Sequence, residues 1–81
     1  MKDRTDWELK DFARLASVYS LIYAMGKKYG DPTLMDVSLK RLTSISKLFN
    51  SEGYYVKKVG TDRFDSLDVT YSTYEVKRSE L

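Results

Sequence analysis

The chain reads as an α+β domain: two antiparallel helices followed by an antiparallel β-hairpin (α-α-β-β), folded as a single small domain over residues 1–81. Three observations predict this. Apolar residues recur at helical spacing from about Asp6 to Lys28, and again from Asp31-Pro32 to about Asn50. Beyond Gly53 the composition turns β-branched and aromatic and the period falls towards two. Turn-forming residues separate these regions.

The first helix opens on a capping box, Thr5-Asp6-Trp7-Glu8: the Thr5 hydroxyl accepts from the Glu8 amide and the Glu8 carboxylate reaches back. Gly26 and Gly30 both offer a stop. At 100° per residue, Leu9, Phe12, Leu15, Ala16, Tyr19, Ile22 and Tyr23 form one apolar arc, the expected core face. Beside it runs a stripe of small residues, Ala13, Ser17, Ser20 and Ala24, where the second helix is expected to pack. Trp7, Val18, Leu21 and Met25 fall away from the core arc, mixed with Lys10, Arg14 and Lys28. A solvated face has no use for four large apolar side chains, so either the hairpin or a partner covers them.

Asp31 and Pro32 restart the chain as N-cap and first helical residue. In the second helix Leu34, Met35, Val37, Leu39, Leu42, Ile45, Leu48 and Phe49 fill an apolar arc of about 200°. Arg41 projects inside that arc, either snorkelling or paired with a carboxylate such as Asp11 or Asp68. Ser51, Glu52 and Gly53 are the exit. Tyr54 to Val59 reads as the first strand, with Gly60, Thr61 and Asp62 as turn. The second strand starts between Arg63 and Leu67 and ends near Arg78. Its apolar parity switches from Leu67, Val69 and Tyr71 to Tyr74 and Val76, which predicts a β-bulge near Ser72-Thr73 or two halves facing different layers. So long a strand outruns a six-residue partner, and an unpaired edge recruits other strands.

Composition narrows the chemistry. With 81 residues only roughly 60% of the unfolded surface is buried, so the core is thin. There is no cysteine and no histidine, which removes disulfides, thiolate metal sites and the commonest metal ligand and general base. Fourteen basic residues stand against twelve acidic ones, a net charge of +2, so no polyanionic partner is demanded. The charged first eleven residues do not form a secretory leader, and the apolar run Phe12–Met25 is too short to span a bilayer. A cytoplasmic protein without cofactor, metal or membrane contact is expected. Ser44-Ile45-Ser46-Lys47 matches S-x-x-K, but its companion motifs are absent and it lies on a polar helix face. Asp62, Asp65 and Asp68 lack calcium-loop spacing and read as a solvated acidic turn. Lys27 and Lys28 complement a helix C-terminus.

Two functions compete. The leading expectation is a small non-enzymatic regulatory or inhibitory protein that binds another protein and forms a homodimer. Its partner-binding residues would be Trp7, Arg14, Val18, Leu21 and Met25 on the first helix, with Tyr74 and Val76 on the last strand. The alternative is a nucleic-acid binder. Helices followed by a hairpin resemble the winged helix, with Lys40, Lys47, Lys57, Lys58 and Arg63 placed to neutralise phosphates. The short helix that precedes a winged-helix recognition helix has no room between Gly30 and Asp31. In general character, being short, rich in tyrosine, serine and lysine, and free of cysteine and histidine, the chain resembles accessory proteins of bacteriophages and mobile elements.

Overall fold

A computed structural model describes residues 3–79. The order is α1 (Asp6–Tyr29), α2 (Pro32–Ser51), β1 (Tyr54–Phe64), a 3-10 turn (Asp65–Leu67) and β2 (Val69–Arg78). The α-α-β-β architecture expected from the sequence is the one present, with β1 and β2 paired as a two-stranded antiparallel sheet.

Both helix starts form as their local chemistry dictates. The Thr5 hydroxyl accepts from the Glu8 amide at 3.2 Å while the Glu8 carboxylate accepts from the Thr5 amide. Asp31 accepts from the amides of Thr33 and Leu34, each at 3.1 Å. Of the two candidate stops Gly30 is the real one, at φ 68°, and Gly26 lies buried inside α1. Gly26 is needed for a different reason. A Cβ there would lie 3.0 Å from Leu34 Cβ and 3.1 Å from the Asp31 carbonyl oxygen, so it sets how closely α2 turns back on α1. Gly26→Ala gains helix propensity worth about 1 kcal/mol but overpacks a stem carbon and a backbone atom that cannot rotate away. The expected net result is a loss of about 1–2 kcal/mol in urea unfolding; a midpoint equal to or above that of the parent would contradict it.

The hairpin differs from the sequence reading in three ways. First, β1 continues through Gly60, Thr61 and Asp62 to Phe64, and the reversal comes at Asp65–Asp68, where Asp68 is left-handed at φ 53°. Lys28 fastens this turn to the end of α1, its Nζ donating to the carbonyls of Leu67 and Asp68. Second, β2 does not outrun its partner: the register pairs Tyr54 with Arg78 and Phe64 with Val69. Third, the bulge is in β1. Val59 has no counterpart, because Lys58 pairs with Tyr74 and Gly60 with Thr73. It lies directly across from the place where the apolar parity of β2 changes, so one extra residue in the opposite strand accounts for the switch.

α1 is the central element, with α2 on one flank and β2 on another. The small-residue stripe, expected to receive α2, receives the outer edge of β2 instead. The Ser72 amide donates to Ser20 Oγ at 2.9 Å and the Tyr74 amide to Ser17 Oγ at 3.1 Å. In an antiparallel ladder alternate amides point away from the neighbouring strand. Two of those on β2 therefore end on helix hydroxyls, and the edge expected to recruit other strands is covered here. Tyr74 and Val76 pack on the protein's own core rather than facing outward.

Among the described residues the buried apolar side chains are Ala16, Ile45, Phe49, Tyr54 and Val69. Phe49 sits at the centre, edge-on to Phe12 (5.0 Å) and Tyr54 (6.0 Å). No helix is long and apolar enough to cross a membrane.

Candidate functional site

Among the described residues several large apolar side chains stay exposed on both helices, as Tyr55, Val59 and Phe64 do on β1. On α1 the exposed side chains include Trp7, Leu15 and Val18; on α2 they include Leu34, Val37 and Leu48. Their exposures run from 38% for Leu15 and Leu34 to 73% for Trp7. A shallow groove of about 180 Å³ lies between the helices, lined by Leu15 and Tyr19 from α1 and Arg41, Ser44, Ile45 and Leu48 from α2.

The exposure on α2 follows from the width of its apolar arc. A helix can bury only the part of its apolar arc that neighbours reach. In α2 that part is Ser38, Ile45 and Phe49, with Leu42 half-buried beside them. Leu34, Val37 and Leu48 sit on the flank of the same arc and remain uncovered. Arg41 lies among them. It is exposed and has no carboxylate partner among the described residues; Asp11, on the outer face of α1 one turn before Leu15, likewise has no cationic partner among them. Neither Asp11 nor Asp68, the carboxylates considered for Arg41, reaches it: Asp68 is held by Arg63 at 2.6 Å.

The residues expected at a partner surface divide. Trp7, Arg14 and Val18 are exposed; Leu21 and Met25 are half-buried; Tyr74 and Val76 are half-buried against the core. Leu15, Leu34, Val37, Leu39 and Leu48 were expected inside and stand partly outside. The signal for them was present in the 200° arc itself, too wide for one neighbouring layer in so short a chain.

The basic residues of the alternative reading do not gather into one patch free of carboxylates. Lys40 pairs with Asp36 at 2.9 Å, and Arg63 holds Asp65 at 3.2 Å besides Asp68. Lys47, Lys57 and Lys58 are exposed, the last two consecutive on β1 and therefore on opposite sides of the strand. Asp62 accepts from the Tyr71 hydroxyl; burial, then the nearby carboxylate, pushes that phenol above its ordinary pKa. The Ser44 hydroxyl donates to the Lys40 carbonyl at 2.9 Å, an ordinary helix contact.

A second cluster, illegible in the sequence, is structural. Arg4 lies over the rings of Phe12 and Phe49, 5.4 and 5.2 Å from their centroids. Its guanidinium forks onto Glu52 at 2.6 and 2.8 Å and reaches Glu8 at 3.2 Å, while its amide donates to the Tyr54 hydroxyl. The hydrogen bond to Glu52 leads the effects that raise its pKa above the ordinary arginine value. These groups are saturated by one another and join the start of α1, the end of α2 and the start of β1.

No protein-family model matches the chain, and neither a curated protein nor a solved structure matches it.

Proposed function

We propose that this chain is a small non-enzymatic regulatory or inhibitory protein that acts by protein–protein binding, through the apolar surface shared by α1 and α2. One observation carries the reading. Trp7, Leu15, Val18, Leu34, Val37 and Leu48 stay exposed on the two helices, with Leu15 and Leu48 lining a groove between them, although the chain has a hairpin available to cover helices. Exposed apolar patches of a few hundred Å² rimmed by polar groups mark interaction sites in soluble proteins. Trp7 and Arg41 add the residue types enriched where binding energy concentrates.

A photo-reactive side chain placed at Val37 and activated in the native host tests this. The expected result is a discrete protein adduct from position 37 and none from Thr43, which is exposed on the far side of α2. An adduct at neither position, or one that nuclease removes, would overturn the reading.

A further inference from the structure

We infer that β1 pairs through its outer edge with β1 of a second copy. The two strands run antiparallel about a two-fold axis normal to the sheet and join the two hairpins into one four-stranded sheet. This surface is separate from the flank of the helices.

The argument starts from where the β1 backbone points. The Ser79 amide donates to the Gly53 carbonyl at 2.9 Å. Alternate residues of an antiparallel pair bond across it, so Val56 and Lys58 turn their amides and carbonyls outward. The bulge at Val59 shifts that phase by one residue. Beyond it Thr61 stands opposite Ser72, whose amide points away from β1 to Ser20, so Thr61 and Arg63 turn outward in their turn. The Arg63 amide does so visibly: it ends on its own neighbour, Asp62 Oδ1, at 2.7 Å. Among the described residues no other strand pairs with this edge, and from Lys57 to Phe64 every residue but Gly60 is exposed.

The outward set fixes the partner. Positions 56, 58, 61 and 63 are symmetric about the point between Val59 and Gly60. A two-fold axis there lays Lys58 on Thr61 and Val56 on Arg63 of the second copy, each an outward residue on an outward one. No other centre brings all four into phase. The bulge puts this edge out of step with a straight strand, and an identical bulge on the second copy restores the step. Such an interface is isologous: residue i meets j and j meets i.

The side chains agree with that register. Tyr55 and Phe64 stand opposite Lys77 and Val69, an even number of residues apart on β2, so both lie on one face of the sheet. They are 39% and 42% exposed, and the axis sets each beside the other of the second copy. Lys57 falls opposite Asp62 in the same way, twice. Neither is ion-paired in its own chain among the described residues, since Glu75, opposite Lys57 on β2, is held by Lys77 at 3.3 Å. Moving the axis to the middle of either half sets Lys57 against Lys57 or Asp62 against Asp62, like charges directly opposed. Lysines on an open edge ordinarily keep other strands away. Here the carboxylate that answers Lys57 is carried by the same strand. A lone two-stranded hairpin is marginal in water, and the second copy raises the sheet to four strands.

Two measurements on the full chain test this. In sedimentation equilibrium the parent is expected to form a dimer. Thr61→Pro removes an outward amide and spares the ladder to β2, the one side on which a strand tolerates proline. It is expected to weaken dimerisation by about tenfold or more, whereas Thr61→Val, which keeps the amide, should leave it within about threefold. Register is read by cross-linking, against a parent without cysteine. Mixing Lys57→Cys with Asp62→Cys under mild oxidation should give a covalent dimer, because directly opposed residues of this kind lie about 4.5 Å apart between Cα atoms. Either variant alone should not, its two thiols being about five residues, or roughly 16 Å, apart along the strands. A parent that stays a single chain up to roughly 100 µM overturns the inference and leaves the edge to a foreign strand or to water. So does a dimer that Thr61→Pro leaves intact, or a cross-link that forms as readily from one variant as from the mixture. Should Thr61→Pro lose the parent's circular dichroism, the cross-linking decides alone: no mixed adduct overturns the pairing.

Discussion

Replacing Phe49 with alanine is expected to cost about 3–5 kcal/mol and to abolish cooperative unfolding near physiological temperature. Phe49 is fully buried, and its ring is the one against which both Phe12 and Tyr54 stand edge-on. It also lies beneath the Arg4 guanidinium, so truncation empties the joint where α1, α2 and β1 meet. Domains carry roughly 0.05–0.15 kcal/mol of stability per residue, so a chain of this length has about 4–12 kcal/mol in all. With few fully buried apolar side chains, no other group can collapse into the space. Val18→Ala serves as the contrast: Val18 is 43% exposed, and its loss should stay within about 0.5 kcal/mol. Thermal denaturation followed by circular dichroism decides the matter. A Phe49→Ala protein melting within a few degrees of the parent would show that the core lies elsewhere.

Removing both hydroxyls from the small-residue stripe, as Ser17→Ala with Ser20→Ala, is expected to cost about 2–4 kcal/mol and to make the protein aggregate as concentration rises. The reason lies in what the hydroxyls accept. The amides of Ser72 and Tyr74 point away from β1, and without Oγ at 2.9 and 3.1 Å they face alanine methyl groups. A donor left without its acceptor costs about 1–3 kcal/mol. Ser44→Ala, which removes an exposed hydroxyl bonded only within its own helix, should change little. Native-state hydrogen exchange gives a local readout: the amides of Ser72 and Tyr74 should lose protection selectively. Unchanged protection at these two amides would mean that the hydroxyls do not hold the edge.

The two experiments probe the two ways this small chain manages its surface. Inside, one aromatic joint holds three elements together. At the sheet edge, two serines on a helix stand where a further strand would otherwise bind. Where neither device operates, along the outer flank of α1 and α2, apolar side chains remain, and there the proposed partner docks.

The order of elements, both helix starts and the strand character of the C-terminal third were fixed by local chemistry. Capping at Thr5 and Asp31, helical apolar spacing and β-branched composition act over a few residues and need no knowledge of what packs where. The thin core likewise follows from chain length. The tertiary structure alone decided which competing local signal won. Gly60-Thr61-Asp62 has turn chemistry, yet pairing with Tyr71, Ser72 and Thr73 draws it into a strand and moves the reversal to Asp65–Asp68. Gly26 has the chemistry of a helix stop, yet the approach of Leu34 keeps it inside the helix. The stripe of Ala13, Ser17, Ser20 and Ala24 shows that a backbone comes close, but small side chains admit a strand as readily as a helix. Only the packed chain shows which one arrives. In the same way an apolar arc records a wish to be buried without recording how much of it the fold can satisfy. The exposed flank of α2 is the difference between the two, set by how many layers 81 residues can supply.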